Sequence, residues 1–140
     1  MSDFLAAAIQ ITSTSNVEAN LAISEEQIEI ASRRGAELIG LPENFAFIGD
    51  DKKRLEIAPS LSEKCSKFLV TMARRYQIVL LGGGFPVPSN DGSRTLNRAE
   101  LVGRDGQLLG RYDKIHLFDV DLPDGNKYRE SETILPGERL

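Results

Sequence analysis

The 140 residues hold one cysteine, one histidine and no tryptophan. A lone cysteine rules out an internal disulfide and fits a reducing compartment, so a cytoplasmic location is expected. A lone histidine rules out a multi-histidine metal site and leaves a histidine-based triad without partners. Positive charge is scarce as well: 17 Lys and Arg against 21 Asp and Glu give a net charge of −4. No basic cluster exceeds three residues, which argues against a nucleic-acid partner. The longest apolar run near the start, Phe4 to Ile11, is far too short to cross a bilayer and follows no basic segment. Neither a membrane anchor nor a signal peptide is expected.

What is present is ordinary for a globular domain, with 41% hydrophobic and 27% charged residues. The length suffices for one core, and no linker or repeat divides it, so residues 1–140 read as one domain. Phe4 to Ile11 predicts a strand buried on both faces. Ser15 and Glu18 form a capping box that opens a helix from about Asn16 to Arg34, with an apolar stripe of Val17, Leu21, Ser24, Ile28 and Ala31. Gly35 closes it, and Ala36 to Leu41 is the second strand of a βαβ unit. A short helical pattern then runs to Pro59. A second capping box, Ser60 and Glu63, starts a helix to about Arg75, and Ile78 to Leu81 is the third strand. Thr95 to Val102 and Leu108 to Tyr112 form a hairpin around Arg104-Asp105-Gly106. From Lys114 to Gly137 no periodicity is visible, and a long functional loop is expected there. The fold class is α/β.

Several stretches invite a chemical reading. Gly82-Gly83-Gly84 follows a strand, but Val87 stands where a dinucleotide fingerprint wants glycine, and Pro86 and Pro88 forbid the helix. These glycines more simply allow a close backbone turn. Asp119, Asp121 and Asp124, with Glu130 at the twelfth position from Asp119, suggest a weak calcium loop, although Gly125 is one residue late and Pro123 takes a ligand position. Cys65 shares a helical face with Leu61, Phe68, Leu69, Met72 and Tyr76, which marks it as a small core hydrophobe. His116 reads as a structural or supporting residue. Glu43 and Lys114 stand out, because each sits just past the end of a strand, where parallel α/β sheets collect ligands and catalytic groups. Apart, they read as solvated charges. Together they suggest a base beside a fixed cation.

Leu41-Pro42-Glu43-Asn44-Phe45, Tyr112-Asp113-Lys114-Ile115-His116-Leu117, Glu130 within Tyr128-Arg129-Glu130-Ser131, and Leu135-Pro136-Gly137 resemble, in order and spacing, the landmarks of the nitrilase superfamily of carbon–nitrogen hydrolases. The resemblance runs the whole length of the chain and covers about half of that family's domain. It implies the N-terminal portion of a four-layer α-β-β-α sandwich, a carbon-nitrogen hydrolase domain incomplete at the C-terminus. Half a sandwich is expected to leave one apolar sheet face without its partner sheet. The family uses a Glu–Lys–Cys triad, often with a second glutamate. By motif, Glu43 is then the general base, Lys114 the cation that stabilises the oxyanion, and Glu130 the second glutamate. The nucleophilic cysteine belongs to a later segment, so these residues alone are expected to be inactive.

The resemblance also implies a small-molecule amide as substrate, no metal or organic cofactor, and a homodimer for the full-length protein. Gln10 to Ser15, Pro42 to Ile48 and Glu130-Ser131 look like the branch that hydrolyses deaminated glutathione, with the ω-amidase branch as nearest rival. Asp113 departs from the arginine often found beside the lysine. A non-catalytic binding module, calcium-binding or otherwise, is the alternative of another class.

Overall fold

The computed structural model describes residues 3–139. In chain order the elements are β1 (Leu5–Ala8), α1 (Val17–Arg33), β2 (Ala36–Gly40), α2 (Asp51–Tyr76), β3 (Val79–Pro88), β4 (Thr95–Val102), β5 (Leu108–Asp113), β6 (Asp119–Asp121) and β7 (Lys127–Arg129), followed by a 3-10 turn at Glu130–Glu132. Strands β1 to β5 form one sheet in that order, and β6 and β7 form a separate hairpin. The first three strands are parallel, because helical crossovers join them; β4 and β5 return antiparallel through tight turns.

Both helices cover the same face of the sheet. Ile28 from α1 and Leu61, Cys65, Leu69 and Met72 from α2 meet Ile39, Leu80, Phe85 and Val102 from the strands, and all are buried. The opposite face is uncovered. Phe4 and Leu81 are exposed there, and with Leu38, Val79 and Leu101 they line a shallow apolar depression of about 600 Å³. Among the described residues no helix is long and apolar enough to cross a membrane.

Five sequence expectations need correction. The first strand is shorter than Phe4 to Ile11 and largely exposed, because it is the sheet edge and helices cover one face only. Helix α1 is capped by Asn16, whose side chain accepts from the Ala19 amide at 3.1 Å, and not by Ser15. The two helical segments flanking Pro59 are one helix of 26 residues. Asp50 caps it through the Lys53 amide at 3.1 Å, and the buried stripe from Ala58 to Ala73 continues past the proline and holds both sides on the sheet. Proline removes one helical hydrogen bond, which this packing outweighs.

The third strand does not stop at Leu81. It runs through the three glycines to Pro88, with a register shift between Gly82 and Phe85. Pro86 and Pro88 fall where β2 has ended and, among the described residues, β4 alone pairs with the strand, the edge situation in which a strand tolerates proline. Finally, the long loop after Lys114 contains the β6–β7 hairpin.

Candidate active site

Three chain segments meet in the site, those that follow β2, β5 and β7. Leu41 still donates to the Leu81 carbonyl at 2.9 Å, so the chain leaves β2 pressed against β3. That approach needs Gly83, since a side chain there would collide with the Leu41 and Pro42 carbonyls. Asn44 then adopts a left-handed backbone conformation (φ 58°), which asparagine tolerates better than most residues, and its amide donates to the Gly84 carbonyl at 2.6 Å. Phe45, Ala46 and Phe47 plunge into the core, with Phe45 edge-on to Phe85 at 6.0 Å. This turn leaves Glu43 pointing outward, with half its side chain exposed (49%).

Buried Asn20 of α1 pins the turn from behind. Its Nδ2 donates to the Ala46 carbonyl at 2.9 Å and to the Thr14 carbonyl at 2.7 Å, while its Oδ1 accepts from the Thr14 amide at 3.0 Å. The Gln10–Ser15 stretch is thereby tied to the Glu43 loop.

Lys114 follows β5 directly and is held at both backbone ends. Its amide donates to the Asn97 carbonyl at 2.9 Å, and its carbonyl accepts from the Gly137 amide at 2.9 Å. Only glycine fits at 137, because a Cβ would strike the Asp113 carbonyl. Glu130 opens the 3-10 turn after β7, and its Oε2 accepts from the Phe118 amide at 2.6 Å.

The three side chains meet at the lysine ammonium. Lys114 Nζ lies 3.1 Å from Glu43 Oε1, and 3.1 and 3.0 Å from the two carboxylate oxygens of Glu130. Partial burial works against the ammonium, but hydrogen bonds to Glu130 and Glu43 and their charges outweigh it, and the Lys114 pKa is raised. The site therefore keeps a full positive charge throughout the neutral range. Around it lies an open cleft of about 370 Å³ lined also by Arg54, Phe118 and Tyr128.

Asn97 was not singled out from the sequence. It is buried on β4, and its Nδ2 donates to Glu43 Oε1 at 2.5 Å, while its backbone carbonyl receives the Lys114 amide. It thus positions both charged partners. The usable signal was its place in the alternation of β4, where an amide shares a face with Thr95, Ala99 and Leu101.

The other candidates lie elsewhere. Asp113 turns away from Lys114, as neighbouring strand residues do, and grips Arg98 through two bonds of 2.7 and 2.8 Å. His116 is exposed. The calcium reading fails. Asp119 accepts from the Ser131 hydroxyl and amide, Asp121 pairs with Arg129, and Asp124 accepts from Asn126, so each carboxylate is committed within the hairpin. Among the described residues no acidic, cysteine or histidine group converges to hold a metal.

Cys65 is fully buried, and burial pushes its thiol up to about 12 from 9.0, with Glu100 adding to the effect and Lys64 opposing it. We expect a thiol reagent such as dithionitrobenzoate at pH 8 to modify the folded chain at least about a hundredfold more slowly than the chain in denaturant, since the thiolate fraction is depressed and access is blocked. Comparable rates in the two states would remove Cys65 from the core.

The sequence matches the carbon-nitrogen hydrolase family over residues 5–140. It is 49% identical over 140 residues to a deaminated glutathione amidase of Synechocystis, covering 99% of this chain and 52% of that protein. It is 33% identical over 138 residues to an omega-amidase of Homo sapiens, covering 99% of this chain and 49% of that one. The chain spans about half the length of the curated relatives it matches. Among solved structures, the C. elegans NitFhit protein superposes with a TM-score of 0.84 at 28% identity, over 94% of this chain and 32% of that one. An amidase from Nesterenkonia superposes with a TM-score of 0.77 at 25% identity, over 94% of this chain and 47% of that one. Fold, sequence and motif order agree, and the chain belongs to the carbon-nitrogen hydrolase family, within the nitrilase superfamily.

Proposed function

We propose that these residues form the base-and-cation half of an amidase site, in a protein that hydrolyses deaminated glutathione. The observation that carries the reading is the Lys114 ammonium suspended between Glu43 and Glu130 at the mouth of an open cleft. An ammonium has three N–H donors. With one turned to each carboxylate, one is left to face a developing oxyanion.

In this mechanism a cysteine from outside these 140 residues supplies the nucleophile, since Cys65 is locked in the core. Glu43 takes the thiol proton, and the thiolate adds to the amide carbonyl carbon. The negative oxygen of the tetrahedral intermediate rests on Lys114. Collapse breaks the C–N bond, and Glu43 returns its proton to the departing nitrogen. Glu43 then deprotonates a water that attacks the thioester, and the proton goes back to the thiolate as the acid leaves. Glu130 holds Lys114 in place, and Asn97 holds Glu43.

The 49% identity to a deaminated glutathione amidase, against 33% to an omega-amidase, favours the first substrate over 2-oxoglutaramate. The test is release of 2-oxoglutarate by the whole protein from each compound. Higher kcat/KM on deaminated glutathione is expected, and Glu43→Gln should lower it by about 10²–10⁴-fold. Preference for 2-oxoglutaramate would reassign the substrate, and no turnover of either would end the amidase reading.

A further inference from the structure

Three cations line the cleft, and they differ in what they are bonded to. Lys114 is committed to Glu43 and Glu130. Arg129 pairs with Asp121 and donates to the Val120 and Tyr128 carbonyls at 3.2 and 2.9 Å. Arg54, on the first turn of α2, is only partly used. Its Nη1 reaches Asp51 at 2.7 Å, but its Nε is buried with no hydrogen-bond partner, and the side chain is only 16% exposed. A buried donor on a charged group left unbonded is costly, and such groups in native folds call for an explanation.

We propose that Arg54 is the carboxylate-recognising residue of this cleft, taking the anionic end of an amide substrate. The proposal rests on the amidase reading, which places the reacting carbonyl at Lys114. A guanidinium presents N–H groups in a planar fork that matches a carboxylate, and a ligand that draws the fork toward it satisfies the idle Nε. Phe118 and Tyr128, both exposed with ring centroids 5.8 Å apart, supply an apolar wall for the methylenes between the two ends. The cleft already holds Glu43, Asp51 and Glu130 against its three cations, a balance that suits a singly charged carboxylate and disfavours a doubly charged phosphate.

Glutarate holds no amide to cleave, so binding can be followed in the whole protein without turnover. Glutarate is titrated while the arginine Nε–Hε signals are followed by NMR, with the Arg54 signal assigned by its loss in Arg54→Lys. Glutaramide serves as the neutral isostere, and inorganic phosphate as the competing anion. Saturable movement of the Arg54 signal with glutarate alone is expected. Arg54→Lys and Arg54→Ala should each weaken glutarate binding about tenfold or more, read on the Phe118 and Tyr128 ring signals. An unmoved Arg54 signal, an equal response to phosphate or glutaramide, or unchanged affinity in Arg54→Lys would overturn the proposal. In the whole protein, Arg54→Lys should raise KM with kcat little changed. An inactive whole protein in which Arg54 still binds glutarate would sink the amidase reading and spare the subsite.

Discussion

Lys114→Met in the whole protein is expected to reduce kcat for amide hydrolysis by about 10²–10³-fold or more, the loss seen when an oxyanion donor is removed. Methionine keeps the length and the apolar stem and deletes only the charge. Two effects add. The tetrahedral oxygen loses its cation, and Glu43 and Glu130, which now share one ammonium, are left as neighbouring anions. The loss should fall on kcat and kcat/KM alike, because the interaction is stronger in the transition state than in the bound substrate. Lys114→Arg should not rescue it. A planar fork places its donors differently from a rotating ammonium, and the backbone clamps at Asn97 and Gly137 leave little room for adjustment. A kcat within tenfold of the wild type for Lys114→Met would show that backbone donors alone stabilise the oxyanion.

Asn20→Leu is expected to destabilise the fold by roughly 3–5 kcal/mol, although leucine is close in size and apolar. Asn20 is 1% exposed and bonds both carbonyls and the amide of its two flanking loops. The substitution leaves the Ala46 carbonyl and the Thr14 amide without the Asn20 side chain, while the Thr14 carbonyl keeps only the Ile48 amide at 3.0 Å, and an unsatisfied buried group costs about 1–3 kcal/mol. Urea unfolding of the chain should show a lower midpoint at an unchanged slope. A shift worth less than about 1 kcal/mol would mean that water enters and takes over the bonds of the amide.

Strands and helices with regular periodicity were legible from sequence: α1 keeps its stripe of Leu21, Ser24 and Ile28, and β4 spans Thr95–Val102 as the alternation predicts. Reading failed where a local residue preference was overruled by packing. Pro59 looked like a helix boundary, but the core face of α2 runs past it. Gly82-Gly83-Gly84 reads as a close backbone turn after a strand, yet it is the thin part of β3 that lets the Glu43 turn press close. The β6–β7 hairpin is three residues a side and mostly exposed, too short for an alternation to be detected.

The candidate site divides the same way. Glu43, Lys114 and Glu130 were visible through their order among recognisable motifs, and the structure gathers them on one ammonium. Asn20 was invisible, because a polar residue satisfied inside a core has the same letter as one on the surface, and Asn97 offered only its place in the alternation of β4. Arg54 was masked in the same way, inside a charged run at the start of α2.

The change from parallel to antiparallel pairing at β3 also sets an order of assembly. Lys114 hangs from the β3–β4–β5 meander, whose strands are joined by short turns. Glu43 follows β2, which meets its neighbours only after whole helices have been threaded between them. Short closures form ahead of long ones. Loop length therefore predicts that the strands carrying Lys114 pair ahead of the strand carrying Glu43, with the ion pair that bridges 71 residues of chain closing last; equal transition-state formation in β2 and β5, read by mutational folding kinetics, would refute that order.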